Sequence, residues 1–223
     1  MSDLALVTGF VPYGGRGRNP AGEIATTLNG RTLLGMPVVG CTLPVSYSEI
    51  RRSVEELLDE LRPRIVISLG LWPGATTIRV ERVGVNVADF EIPDNTGRLA
   101  TDELIIGNGS AARFATLPIR KIEHALLDAG IPARISNSAG TFLCNACLYS
   151  FLSAAEARAD STVCGFIHIP YLPEQVAGLL TDLAKEAQQE VHQRADLASM
   201  DLATSTRAIE LALQTTIAEI GGR

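Results

Sequence analysis

The sequence has no run of basic residues. Its 19 Lys and Arg are outnumbered by 25 Asp and Glu, for a net charge of −6 at pH 7. A chain of this sign lacks the cationic surface that nucleic acid or an anionic membrane would require, so neither is expected as a partner. It also lacks a long apolar run. The longest uncharged span, 135–155, approaches the roughly 20 residues of a membrane helix. Ser136, Asn137, Ser138, Gly140, Thr141, Asn145 and Ser150 interrupt it, and lipid would reject them. The opening "MSDLALVTGF" carries an acid where a secretion signal has a basic region, and its short apolar run breaks at Thr8-Gly9. No internal repeat, low-complexity tract or linker is visible. A cytosolic, reduced location is the expectation, and there the cysteines at 41, 144, 147 and 164 are no sign of disulfides.

What is present is the composition of a folded globule. Of 223 residues, 46% are apolar and 20% charged, which suits one domain spanning 1–223 with a sizeable core. Short apolar runs closed by turn formers read as buried strands: "LALVTGF", "PVVGCTL", "RIVISLG", "ARISNS" and "TVCGFIHI". Helical stripes lie between them. Ser46-x-x-Glu49 matches a capping box, followed by Ile50, Val54, Leu57, Leu58 and Leu61 on one face. Ile119, Ile122, Leu126 and Ala129 form a second stripe, ended by Gly130. Val176, Leu179, Leu180 and Leu183 form a third, and Ile209, Leu213, Ile217 and Ile220 a last one. Continuous apolar strands alternating with helices predict an α/β fold, with a mostly parallel sheet covered on both faces. Ligand chemistry then gathers at the carboxyl ends of the strands. Ala88–Pro118 fits neither period. A segment this long is either a binding loop, which could close over a ligand, or an irregular excursion with a minor hairpin.

The stretch "SNSAGTFLCNACLYSFL" sets Cys144 and Cys147 three apart. With Cys164 and His168 they resemble a zinc module, but both of those lie in one predicted strand. Four strand residues separate side chains by roughly 13 Å, too far for one ion with bonds of about 2.3 Å, so no metal is expected. Cys-x-x-Cys opening a helix is also a redox arrangement, although nothing else in the chain supports a small redox fold. The third reading makes Cys147 a small core hydrophobe and Cys144 a nucleophile. Small turn residues precede Cys144 and place it in the first helical turn. Free N–H groups and the helix dipole there favour thiolate and can hold an oxyanion.

A nucleophilic thiol needs a proton donor for its leaving group. The chain has three histidines. His124 lies in the helix "IRKIEHALLDAG" and His192 in the polar segment "QQEVHQR", and both read as solvated. His168 ends the apolar strand before Pro170, where a histidine is ordinarily a satisfied core residue but is also the one well-placed partner for Cys144. Glu81, beside Arg82 in the alternating "TIRVERVGVNV", is either a solvent-facing strand residue or a carboxylate that orients His168. Spacing leaves both open.

Four segments in order resemble the type I pyroglutamyl peptidases, a family of cytosolic cysteine peptidases: "VTGFVPYGGRGRNP", "VERVGVNVADFEIPDNTG", "SNSAGTFLCN" and "GFIHIPYLPEQ". The resemblance implies a three-layer α/β/α sandwich. It makes Cys144 the nucleophile, His168 the general acid/base and Glu81 the orienting acid, with no cofactor and no metal. It implies substrates that are peptides with an N-terminal pyroglutamate, a pocket lined by Phe10, Tyr13, Ile92 and Phe142, and a homo-oligomer, tetramers being common in the family. The chain departs from the pattern at several places. Leu71 stands where the family usually has a lactam-binding glutamine, and an unpaired lactam group would cost about 1–3 kcal/mol, roughly one to two decades in binding. Tyr13 replaces a phenylalanine, Glu91 a residue often basic, and Arg79 a small hydroxyl residue. A shifted substrate, another cyclic or small acyl amide, is therefore the alternative, with a non-catalytic binding homologue as a third reading.

Overall fold

The computed structural model describes residues 3–158, 161–186 and 196–222. Seven strands form the main sheet in the order β2-β3-β1-β4-β9-β5-β8. They are β1 (Ala5–Phe10), β2 (Thr32–Leu33), β3 (Met36–Leu43), β4 (Ile65–Leu71), β5 (Ile78–Glu81), β8 (Ala133–Ser136) and β9 (Val163–Ile169). Strands β3, β1, β4 and β9 run parallel. Strands β5 and β8 are parallel to each other, but β5 pairs antiparallel with β9. The sheet is thus mixed and mostly parallel, as expected. The remaining strands, β6 (Val83–Val85) and β7 (Ala112–Phe114), form a separate antiparallel pair.

Alternation within the strands divides the core into two layers. Ala5 and Val7, Ile65, Ile67 and Leu69, Ile78 and Val80, and Ile167 and Ile169 all face one side. There they meet α1 (Pro20–Leu28), α3 (Ile119–Asp128) and α6 (Leu202–Gly221). Leu6 and Phe10, Val66, Cys164 and Phe166 face the other side, against α2 (Tyr47–Leu61) and α4 (Leu143–Ala157). Each fully buried Leu or Ile contributes about 1.5–3 kcal/mol of transfer free energy, so both layers hold the sheet. Helix α5 (Pro173–Glu186) joins a small cluster of Leu71, Tyr171 and Val176. Its predicted stripe is the least buried, with Leu180 40% exposed. No helix among the described residues is long and apolar enough to cross a membrane. His192 lies outside the described residues.

Three local expectations change. "TIRVERVGVNV" is not one strand, because the chain leaves the main sheet at Arg82 and continues as β6. Ser46 does stand at the N-cap of α2, but its side chain makes no cap bond. Asp94 does that work from a distance in sequence: its Oδ2 accepts from the Tyr47 N–H at 2.8 Å. Its Oδ1 meanwhile gathers Thr96 and Arg98 into a turn. The Ala88–Pro118 segment is packed, with Ala88, Phe90, Ala100 and Ile105 buried in the α2/α4 layer.

Candidate active site

Register places the site. Gly70 of β4, His168 of β9 and Arg79 of β5 are partners across three adjacent strands. Because side chains alternate along a strand, Phe166 and His168 on β9 share a face with Arg79 and Glu81 on β5, and this is the α2/α4 face. Glu81 thereby reaches the imidazole diagonally, its Oε1 lying 2.9 Å from His168 Nδ1. Both side chains are buried, at 0% and 1% exposure, so the solvent-facing reading of Glu81 is excluded. With Nδ1–H donated to the carboxylate, Nε2 is the free imidazole nitrogen. Phe166 and Trp72 pack on the ring at 4.8 and 4.9 Å between centroids.

Cys144 enters from above the sheet on the second residue of α4. This helix is buried on almost all sides, including Asn145 through Ser153, so it carries the sulfur on a rigid element. Glycine at 70 makes the room. A Cβ there would meet Cys144 Sγ at 2.7 Å and the Phe166 ring at 2.9 Å. The N-cap residue Phe142 supplies no side-chain bond to the first turn, which leaves the N–H groups there available to whatever occupies the cavity. Asn145, fully buried, bonds instead to strand β6 and its continuation. Its Oδ1 accepts from Val85 N–H at 2.8 Å, and its amide donates to the Val85 and Val87 carbonyls at 2.9 Å each. Thr141 adds a bond to the Asp89 carbonyl at 2.6 Å. The Val85–Asp89 segment is thus fastened to the residues that carry the sulfur.

Cys144 and His168 open into one cavity of about 360 Å³, whose walls include Tyr13, Leu71, Trp72, Ile92 and Phe142, with Asp89 and Glu91 also lining it. Four of the five expected pocket residues are therefore brought together. Phe10 is the exception: it is 4% exposed, packs in the α2/α4 core and does not line the cavity. Trp72, which sequence reasoning passed over, is part of the wall. Arg79 was also passed over as a site residue, and so were Gly70 and Asn145. Only Arg79-x-Glu81 left a signal, since two positions apart on a strand means one face. A larger cavity of about 450 Å³ lies beside Arg113 and Phe114 and contains none of these residues.

The electrostatics differ from the simple helix-end argument. Burial pushes the Cys144 thiol up, and the neighbouring Cys147 and Glu81 push it further. Burial is the largest of these influences, and the backbone N–H of Cys144, which lowers the value, is the smallest. Cys147, fully buried, is pushed up to about 12 by the same cause, against a hydrogen bond to Ser68 that lowers it. Burial holds His168 below its ordinary value, with Arg79 adding to this and Glu81 opposing it. Both shifts favour the uncharged forms, thiol and imidazole. No disulfide links Cys41, Cys144, Cys147 and Cys164 among the described residues. Cys164 and His168 stand four residues apart on β9, and among the described residues no three His, Cys, Asp or Glu side chains converge as metal ligands.

This geometry has close counterparts. The family model described as pyroglutamyl peptidase matches residues 4–219. The pyrrolidone-carboxylate peptidase of Pyrococcus furiosus is 44% identical over 171 residues, covering 77% of this chain and 82% of that protein. The corresponding protein of Thermococcus litoralis is 40% identical over 212 residues, covering 95% and 92%. The solved structure of pyrrolidone carboxyl peptidase from Thermococcus litoralis superposes with a TM-score of 0.90 at 37% identity, covering 99% of this chain and 96% of that one. A mutant pyrrolidone carboxyl peptidase from Pyrococcus furiosus gives 0.89 at 37% identity, covering 97% and 99%. With its fold and its whole described site inside that match, the chain belongs to the pyroglutamyl peptidase family of cysteine peptidases.

Proposed function

We propose that the protein removes N-terminal pyroglutamate from peptides, using Cys144 as nucleophile, His168 as general acid/base and Glu81 as the orienting carboxylate. The observation that carries this is the buried Glu81–His168 bond of 2.9 Å, which aims a free imidazole nitrogen into the cavity that Cys144 shares. Cys144 Sγ attacks the pyroglutamyl carbonyl carbon. Its proton passes to His168 Nε2 as the C–S bond forms, in keeping with burial favouring the uncharged form of each group. The carbonyl oxygen, now anionic, is held by first-turn N–H groups of α4. His168 returns the proton to the departing amine, the C–N bond breaks and a thioester remains. Water, deprotonated by His168, attacks the thioester and releases pyroglutamate, and the proton returns to the sulfur.

The lactam is flat, uncharged and mostly apolar, and the walls suit it. Phe142 is braced by Phe90 at 4.6 Å and by Tyr13 at 6.0 Å between centroids, with Leu71, Trp72 and Ile92 completing the surface. Leu71 supports a second reading, another cyclic or small acyl amide. Its apolar side chain lines the cavity and offers the lactam no hydrogen bond.

The test is release of a fluorescent amine from its pyroglutamyl amide under reducing conditions, beside the proline amide and the Cys144→Ala protein. Release from the pyroglutamyl amide alone, lost by roughly 10⁴-fold or more in Cys144→Ala, is the expected result. Fast alkylation of Cys144 without release would favour the shifted substrate. An inert Cys144 without release would leave only a binding role.

A further inference from the structure

Arg79 occupies an unusual position for a charged side chain. It is 11% exposed, and its guanidinium is held through two nitrogens and one face. Nε lies 3.2 Å from Glu81 Oε1, the same oxygen that holds His168. Nη2 donates to Ser136 Oγ at 2.8 Å and to the Ser138 carbonyl at 2.9 Å. The guanidinium carbon lies 3.7 Å from the centre of the Trp72 ring, and Trp72 in turn stands edge-on to the imidazole at 4.9 Å. The second carboxylate oxygen, Glu81 Oε2, is buried without a hydrogen-bond partner among the described residues. Glu81 thus spends one oxygen on two N–H donors, one of them a fixed cation, while the segment leading to Cys144 is tied to the same arginine through Ser138.

We infer that Arg79 is a positioning residue for His168, sharing its carboxylate oxygen and clamping Trp72 against its ring, and that it sets the pH at which His168 takes up a proton. The inference rests on the acid/base role proposed above for His168. The groups that face the imidazole are few. Strand β5 presents Glu81 and Arg79, and α4 presents Cys144. Tyr13, Asp89 and Glu91 line the cavity from the loops. Of these, Arg79 is the one fixed cation. Its guanidinium stays charged at any working pH, so it opposes a second positive charge on His168 at all times. It also competes with Nδ1–H for Oε1, weakening the grip that would stabilise imidazolium. An imidazole kept neutral at rest is one that can accept the Cys144 proton. A lysine could supply the charge but neither the fork to Ser136 and Ser138 nor the flat stack on Trp72.

The experiment titrates the three histidines by NMR in the full-length wild type and in Arg79→Met, with His168 assigned by its loss in His168→Asn. The pH profile of kcat/KM on the pyroglutamyl amide is recorded in parallel. The His168 titration is expected to move upward by about one pH unit in Arg79→Met, and the acid limb of the rate profile with it. Arg79→Lys should return the titration towards wild type while kcat stays reduced. If Arg79→Met fails to fold by circular dichroism, Arg79→Gln carries the same expectation. A His168 that titrates identically in wild type and variant, or in neither, overturns the inference even if activity falls at every pH. A shifted titration in a protein that releases no amine from any pyroglutamyl amide overturns the peptidase reading and leaves Arg79 in this role.

Discussion

The same strands build two faces of the central sheet, and the faces bury different things. Against α1, α3 and α6 the strands offer Ala, Val, Ile and Leu. Against α2 and α4 they offer Leu6, Val66 and Phe166, but also Thr8, Ser68, Glu81 and His168. Among the described residues, the buried acids, histidine and cysteines (Glu81, Asp94, His168, Cys147 and Cys164) all belong to the second side. Desolvating Glu81 and His168 is costly, and one hydrogen bond between them returns only part of that cost. Alternation by two residues lets one strand carry both assignments. Ile167 and Ile169 anchor β9 on one side while His168, between them, works on the other. The apolar face supplies rigidity that the chemical face uses.

The sharpest way to break this division is to damage the apolar face alone. Leu126 on α3 is fully buried there. Leu126→Ala is expected to lower the unfolding free energy by about 2–5 kcal/mol, measured by urea denaturation. Its kcat and KM on a pyroglutamyl amide should stay near wild type well below the melting temperature. A loss of kcat in the folded variant would mean that the two faces are coupled through the sheet.

The converse change strikes the chemical face. Gly70→Ala places a methyl group where Cys144 Sγ and the Phe166 ring already stand. The ring and sulfur must shift, and displacement of a nucleophile by a fraction of an ångström to 1 Å costs about 10²-fold in rate. A fall of that size in kcat/KM, with far less change in melting temperature than Leu126→Ala causes, is the expected outcome. Full activity in Gly70→Ala would show that the sulfur has room to spare and that register does not set its position.

The two faces were not equally legible. The apolar one follows from composition and period: "RIVISLG" and the stripe Ile119, Ile122, Leu126 need only local pattern, and both elements form where expected. The chemical face depends on which strands become neighbours, which is a non-local matter. Arg82 stands beside Glu81 in sequence. Adjacency on a strand sends side chains to opposite faces, and Arg79, two residues back, is the one in contact. Trp72 and Gly70 follow strand β4 to its end, and their roles appear only when β9 lies beside it. Asp94 caps α2 from 47 residues away, where a local capping box was the natural reading. Cys144, His168 and Glu81 were visible as residue types and became a set through resemblance, whereas their shared surroundings needed the fold.

The smallest expected effect lies within the chemical face, between two cysteines on one helix. The first turn of α4 favours a thiolate at Cys144 through free N–H groups and the helix dipole. Burial against Phe142 and Phe166 favours the thiol, and burial is the larger influence. A raised pKa means less thiolate at neutral pH than an ordinary thiol, whose value is about 8.5. Alkylation of Cys144 by iodoacetamide should therefore climb about tenfold for each pH unit and continue to climb beyond pH 8.5, with no plateau. Cys147 has no opening to the cavity and is pushed up to about 12, so in the folded protein it should remain unmodified over the same range. Peptide mass mapping after timed quenching separates the two sites. A Cys144 rate that is already flat at pH 7 would reverse the ranking. It would show that the helix end and His168 together overcome burial, that the site rests as thiolate and imidazolium, and that the proton moves before the substrate arrives rather than during attack.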